Sequence, residues 1–492
     1  MNKLTKIHII TIIIGIIFIL IPVFHTNLWF DESYSVAISN HGFGEIWTIG
    51  GNDVHPVLYY WILHIIRIIF GSKILLYRLF SVLCTAILGI IGYTHIRKDF
   101  GEKTGILFSF LVFFFPVNVV YAGEIRMYSL AMLLVTLMSI YAYRICRNKD
   151  KKYVKNWVLF AIFSLASAYT HYYGLMMAGL INLFLFISFT IQVIREKKFT
   201  YNLKAFIVSA LSQILLYVPW IMSLFKQVKG VSSGFWIGIH FPDTFIELFT
   251  FPFTGNLGDT VYIAVPMAIL FAIIVWGYMI YIHIKNKKEQ EIKPARLSLF
   301  FWIMVVLGAC IVSLIIRRPI IYARYLLCVG GLFVFFMAGT MAMKGNKTIN
   351  IIVLTISATL SVMVICALAQ ENYGKVNQEL QSYISQNVQE KDIIICANEG
   401  SGFVLSAYYP NNKMYFYDLE HWNVGPAYKA YGETIYDFEF LKEYKGRIWI
   451  ANNTNFSIYD EISKQIDLKL IEQKDFNVEY KNYQYKLTLV EK

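Results

Sequence analysis

Apolar residues in this chain come in long unbroken runs, not in the alternation of a half-buried strand or the striped pattern of an amphipathic helix. Runs over residues 7–24, 75–96, 105–120, 127–146, 157–170, 173–194, 204–225, 261–284, 297–316, 320–343 and 349–369 are read as membrane-spanning helices. A hydrocarbon core of roughly 30 Å takes about 20 helical residues, so the pattern predicts about eleven crossings. The first run follows Lys3 and Lys6 and ends without a small-residue cleavage pattern, which predicts a retained helix with a cytoplasmic amino end. Beyond residue 369 the bilayer-length runs stop. β-like runs at 392–396, 413–417 and 447–450 alternate with helical stretches at 376–387 and 458–466, followed by a terminal hairpin. The expected architecture is a polytopic α-helical membrane domain over residues 1–369, with surface helices in a first outer loop at 25–70, and an extracytoplasmic α/β domain over 370–492.

One further apolar stretch, residues 56–70, decides the topology, because counting it as a span would invert every later loop. If it crossed, Arg144, Arg147, Lys149, Lys151, Lys152 and Lys155 would lie outside, together with Lys285, Lys287, Lys288, Lys293 and Arg296. Cytoplasmic loops carry the excess of Lys and Arg, so both placements are disfavoured. About fifteen residues at 1.5 Å each also reach only roughly 22 Å. The stretch is therefore expected to lie along the outer surface as a short amphipathic helix, which gathers the unusual polar residues on the outer face.

Composition agrees with this frame. With 57% hydrophobic and 15% charged residues and a mean hydropathy of +0.53, the chain is not an ordinary soluble enzyme, in which about 25% of residues are charged. The formal charge of +12 sits largely in short clusters between apolar runs, where membrane topology accounts for it and no nucleic-acid partner is needed. Six cysteines are scattered without the spacing of a metal or disulfide framework.

The outer segments carry the candidate chemistry. Immediately after the first span comes W-F-D-E-S-Y, with Asp31 and Glu32 ahead of a helical stretch; helix capping alone would account for them. The same loop supplies D-V-H-P-V-L-Y-Y-W, holding Asp53, His55 and Tyr59, where an interfacial histidine is the plainer reading. Y-A-G-E-I-R-M-Y-S-L brings Glu124, Arg126 and Tyr128 to the next outer turn, where Arg126 could simply snorkel against Glu124. T-H-Y-Y-G places His171 and Tyr172 at the following one, where an aromatic belt would suffice. R-R-P-I-I-Y-A-R-Y-L carries Arg324 and Tyr325 into an apolar run, and an intramembrane cation there costs a few kcal/mol unless it faces a polar cavity or an anion. Carboxylates, imidazoles, guanidiniums and phenols on one face of a membrane protein suit a reaction on a sugar linked to a polyprenyl phosphate. Arg and His would stabilise the leaving phosphate, and a carboxylate, Asp31, would take the proton of the attacking acceptor hydroxyl.

The ordered series F-D-E-S-Y, D-V-H-P-V-L-Y-Y-W, Y-A-G-E-I-R-M-Y-S-L and T-H-Y-Y-G resembles bacterial family 39 glycosyltransferases of the GT-C superfamily, which includes protein O-mannosyltransferases and the aminoarabinose transferase of lipid A. The resemblance covers the first 225 residues well, the later spans by pattern only and the terminal domain not at all. It implies a multi-spanning fold, a polyprenyl-phosphate sugar donor and an extracytoplasmic acceptor. It also implies a catalytic acid at Asp31 with Glu32 beside it, a donor-phosphate contact at His55, and the pairs Arg126 with Tyr128 and Arg324 with Tyr325. Relatives commonly have two prolines where this chain has Pro56-Val57, which leaves the start of the surface helix less constrained. Some GT-C enzymes bind a divalent cation such as Mg or Mn, for which Asp31, Asp53 and Glu124 are candidates. A lipid-linked sugar flippase, or an envelope-assembly protein built on an inactive relative, are the competing expectations.

Overall fold

The structure, a computed structural model, describes residues 2–147, 153–233, 236–254, 264–374, 378–397, 400–409, 411–418, 426–452, 457–478 and 480–492. Chain contacts divide it into two compact units. One comprises Met1–Val23, Val54–Tyr59 and Arg78–Leu368; the other comprises Phe24–Asp53, Tyr60–Tyr77 and Ala369–Lys492.

The first unit is a helical membrane bundle. Among the described residues of the chain, nine helices are long and apolar enough to cross a bilayer, and each coincides with a predicted run. The two remaining runs form shorter helices. Val154–Thr170 has 17 residues. The run at 105–120 divides into Glu102–Phe113 and Pro116–Tyr121, because proline disfavours the helical region for the residue before it, and Phe115 is extended at φ −110°, ψ 126°. Lys149, Lys151 and Lys152, and the first residues of the run at 261–284, lie outside the described residues.

Close helix approach rests on small residues. A β-carbon on Gly105 would stand 2.6 Å from the Gly92 carbonyl oxygen, and one on Gly92 would stand 2.8 Å from the Gly105 carbonyl oxygen. The Ile74–Phe100 and Glu102–Phe113 segments therefore meet backbone to backbone, as membrane helices do at small residues. Nearby, buried His8 bonds Ser109 Oγ at 2.8 Å, and Ser109 donates to the Gly89 carbonyl at 2.6 Å, so a hydrogen-bond chain ties the first helix to the same hairpin.

The disputed stretch forms the helix Leu58–Phe70, whose 13 residues reach about 20 Å at 1.5 Å per residue. That is short of a bilayer crossing. Leu63 and His64 are buried while Ile65, Ile68, Ile69 and Phe70 are exposed, an apolar outer face suited to the membrane interface. Within the second unit its inner face is anchored by His64 Nδ1 donating to Ser39 O at 2.9 Å and Trp61 Nε1 donating to Phe43 O at 3.1 Å.

The second unit also contains a six-stranded sheet: β1 (Ile393–Ala397), β2 (Lys413–Tyr417), β3 (Glu433–Ile435), β4 (Arg447–Asn452), β5 (Lys469–Asn477) and β6 (Gln484–Glu491). The order is β3-β2-β1-β4-β6-β5. β1 to β4 run parallel, whereas β6 is antiparallel to both β4 and β5. The predicted strands and terminal hairpin are all present. Near-continuous apolar strands such as I-I-I-C-A mark a parallel sheet buried on both faces, and Ile458 and Ile462 pack against Ile393, Ile395 and Ile450 on one of them. Asp392, buried at the head of β1, accepts from Trp449 Nε1 at 2.8 Å and from the Gln389 amide at 2.9 Å, and pairs with Arg447 at 3.4 Å.

Replacing Gly105 by valine should abolish monodisperse protein on gel filtration in detergent, since the obstructing atom is backbone and cannot rotate away. Gly44→Ala, where an added β-carbon meets nothing within 4 Å, should elute as wild type.

Candidate active site

Each site residue of the membrane unit is delivered by a helix end. His55 lies in the loop ahead of Leu58–Phe70, Arg126 and Tyr128 at the start of Tyr128–Arg147, His171 between Val154–Thr170 and Tyr172–Glu196, and Arg324 and Tyr325 in the 3-10 segment Ala323–Val329. They converge. The His55 and His171 rings are 5.3 Å apart, and Tyr325 stands 6.2 Å from His55 and 5.0 Å from His171, close to perpendicular to the former. Tyr128 lies 5.9 Å from His171. The Arg324 guanidinium sits 6.0 Å from the Tyr128 ring and 5.0 Å from the Tyr322 ring, within cation–π reach. His55, Arg126, Tyr128, His171 and Tyr325 are all buried.

The electrostatics of this cluster favour an anion. Burial holds the His55 imidazole well below its ordinary pKa, and the positive Arg126, the neighbouring His171 and Arg324 act in the same direction. For His171 burial, then Arg126 and Arg324, bring the value down to about 3. Two guanidiniums thus bear on two imidazoles that stay neutral. The proton of His171 can be located as well. Its Nδ1 accepts the Tyr173 amide at 3.1 Å and caps the helix Tyr172–Glu196, so the neutral ring carries hydrogen on Nε2. That nitrogen is buried without a hydrogen-bond partner among the described residues. The histidine is therefore an oriented neutral donor, and its burial removes the aromatic-belt reading.

Beside these groups opens a cavity of about 220 Å3. His55, His171, Tyr172 and Tyr325 are among its lining residues, together with the apolar Leu224, Val228, Val312 and Ile316. Tyr172 is held by Trp220 Nε1, which donates to its hydroxyl at 3.1 Å, and bonds Gln227 Oε1. Tyr59 belongs to the same unit, with its hydroxyl 3.2 Å from Ser81 Oγ. Glu124 precedes Arg126 in a tight turn closed by the Arg126 amide on the Glu124 carbonyl at 2.8 Å.

Asp31, Glu32 and Asp53 lie in the second unit. The helix there begins at Phe30 with Trp29 as its cap, so Asp31 is not the cap that its position suggested; both acids occupy the first turn, where the helix dipole favours negative charge. Glu32 is only 1% exposed. Tyr428 feels both Asp53 and Asp31: burial first, then these two carboxylates, raise its pKa. Tyr483 is pushed up to about 12 by burial, with Tyr408, Glu32 and Asp31 adding and a hydrogen bond to the Phe30 backbone opposing. Aromatic rings line this acidic corner, with Phe403 5.0 Å from Tyr428 and 4.7 Å from Tyr431, and Tyr34 5.7 Å from Tyr431. Tyr322 lies within the R-R-P-I-I-Y-A-R-Y-L segment but is not singled out there, and the sequence motifs gave no sign of Gln227, Tyr428 or Tyr483. Among the described residues no group of three or more His, Cys, Asp or Glu side chains gathers as a metal site.

Residues 54–220 match the family described as dolichyl-phosphate-mannose-protein mannosyltransferase. The segment includes His55, Tyr59, Glu124, Arg126, Tyr128, His171 and Tyr172. No curated protein matches the chain. The crystal structure of ArnT from Cupriavidus metallidurans in the apo state aligns over 99% of this chain and 98% of that one, with 11% identity and a TM-score of 0.63. The same protein bound to undecaprenyl phosphate aligns over 98% and 97%, with 11% identity and a TM-score of 0.62. At such identity the likeness is one of fold. The GT-C resemblance carried by the motifs is borne out by the matched segment and by this fold, in a multi-pass membrane protein.

The His171 ring should remain in its neutral Nε2–H form from pH 8 down to pH 5 by imidazole 15N NMR; protonation near 6.5 would contradict the buried, doubly cation-flanked site. Because its folded pKa is depressed, the ring's contribution to stability is complete above the unfolded value of 6.5 and is lost progressively as pH falls from there toward 3.

Proposed function

We propose that this protein is a membrane-embedded glycosyltransferase that moves a sugar from a polyprenyl-phosphate donor to a hydroxyl acceptor on the extracytoplasmic side. The observation that carries the reading is the convergence of Arg126 and Arg324 on the neutral imidazoles of His55 and His171, which themselves border an apolar cavity. A polyprenyl phosphate has that division of character, with an anionic head and an apolar tail. The ArnT structure that holds undecaprenyl phosphate shares this fold, which supports the same class of lipid for this chain.

In the proposed reaction the two guanidiniums bind the donor phosphate through charge-assisted hydrogen bonds. His171 Nε2–H and the Tyr128 and Tyr325 hydroxyls add neutral donors. An acceptor oxygen attacks the anomeric carbon, the bond from that carbon to the phosphate oxygen breaks, and its electron pair stays on the phosphate. Charge grows on the leaving group as it departs, so preorganised donors stabilise the transition state more than the ground state. Asp31 takes the acceptor's proton as general base, with Glu32 beside it, and a single displacement of this kind inverts the anomeric centre. The distribution of Lys and Arg supports a cytoplasmic basic end for the helical bundle, and an odd number of crossings from a cytoplasmic amino end supports an extracytoplasmic terminal sheet.

The direct test incubates purified protein with several polyprenyl-phosphate sugars and follows the loss of each by mass spectrometry. One donor should be consumed, and movement of labelled lipid across reconstituted vesicles with no glycosidic bond formed would replace the transferase with a flippase. Asp31→Asn should lower transfer by about 10²-fold or more while leaving donor affinity intact. Arg126→Gln should weaken donor binding itself, and wild-type transfer by the Asp31 variant would remove that residue from the chemistry. For topology, Asn411→Cys, on an exposed turn of the sheet domain, should react with an impermeant maleimide on intact cells; labelling only after lysis would invert the orientation.

A further inference from the structure

A second cavity lies at the basic end of the membrane unit. It opens between the last turn of Tyr128–Arg147, the start of Lys293–Ile316 and the helix Gly330–Lys344. Its volume is about 430 Å3, within the roughly 300–1,000 Å3 of ligand sites. The interior is apolar, with Ile140, Phe184, Leu297 and Phe335 among its walls. Three of the hydroxyls that border it are spent on backbone: Thr136 donates to Met132 O at 2.7 Å, Ser139 to Val135 O at 2.8 Å and Ser298 to Leu332 O at 2.8 Å. A fourth, that of Tyr143, bonds the Arg147 side chain.

The rim has the opposite character. Exposed Arg147 and Lys293 stand at it. Three other cations at this end are neutralised within the fold: Arg144 by Asp99 at 2.7 Å, Arg97 by Glu102 at 3.4 Å, and Lys344 by Glu289 and Glu291 at 3.3 and 3.4 Å. Arg147 and Lys293 form no ion pair with a carboxylate among the described residues. An apolar hole with two uncompensated cations at its mouth is complementary to a molecule with one linear hydrocarbon chain to insert and a phosphate to leave at the headgroup level.

We propose that this cavity binds an anionic glycerophospholipid, with one acyl chain inside and its phosphate between Arg147 and Lys293. A zwitterionic lipid lacks the net charge that the two rim cations select for. The site is distinct from the His171 cavity, and the assignment does not rest on the proposed transfer reaction.

Native mass spectrometry of the detergent-purified full chain, titrated with phosphatidylglycerol, phosphatidylcholine and undecaprenyl phosphate, tests the assignment. Phosphatidylglycerol should bind roughly thirtyfold more tightly than phosphatidylcholine, at about 1 kcal/mol for each of the two basic residues near the headgroup. The preference should vanish in the double variant R147Q/K293Q and persist in K287Q/K288Q, which alters nearby exposed lysines outside the cavity. Leu297→Trp, which fills the interior, should weaken phosphatidylglycerol binding with the rim charges intact. Equal affinity for the two phospholipids, or a preference that survives in R147Q/K293Q, would overturn the proposal. So would displacement of phosphatidylglycerol by undecaprenyl phosphate in the wild type but not in R147Q/K293Q, which would give the cavity to a polyprenyl lipid.

Discussion

Concentrated positive charge, removed from water, is the constraint around which the membrane unit is arranged. Arg126 is 4% exposed, and a guanidinium cannot shed its proton to escape burial as lysine or histidine can. The charge is instead fixed, and the neighbouring groups titrate around it. His55 and His171 give up theirs, so the cluster settles as two cations with neutral donors and not as four competing cations. This division matters chemically. Neutral imidazoles add hydrogen bonds to an anion without adding to the repulsion that the empty site must bear, and their donor state does not depend on pH over the physiological range.

Helix ends, more than helices, build the site. The N-cap role of His171 joins structure to chemistry in one ring: the nitrogen that caps Tyr172–Glu196 cannot also carry the proton, and the other must. Asparagine in its place could cap the helix but would present no ring to pack against Tyr325 and His55. Tyr173, next in the chain, donates from its hydroxyl to the Ile320 carbonyl at 3.1 Å, which ties the turn after Val154–Thr170 to the segment that leads into Arg324. The late arginine is thus placed by a hydrogen bond from the middle of the chain.

Much of the bundle is legible in the sequence because a bilayer imposes a length on apolar runs that nothing else in the chain imitates. Where reading failed, a local backbone effect had interrupted a uniformly apolar pattern. Residues 105–120 look continuous by hydropathy, yet Pro116 forces Phe115 out of the helical region and splits the run. The strand 413–417 was readable to the residue because it is a short β-rich run bounded by Asn-Asn and Asp. Asp31 was misread as a helix cap because the pattern gives the helix but not which residue starts it. Tyr428 and Tyr483 were invisible in principle. Their effect depends on contacts with Asp31 and Asp53 across some four hundred positions, and neither sits in a motif.

Asp31 also shows how position within a helix and chemistry interact. In the first turn of Phe30–Ser39, Asp31 and Glu32 sit at the positive end of the helix dipole. Tyr428 feels Asp31 as well as Asp53, and its pKa is raised, by burial first and by the two carboxylates after it. The phenol cannot ionise in this setting without adding a further negative charge, so burial and both carboxylates keep its hydrogen in place as a donor.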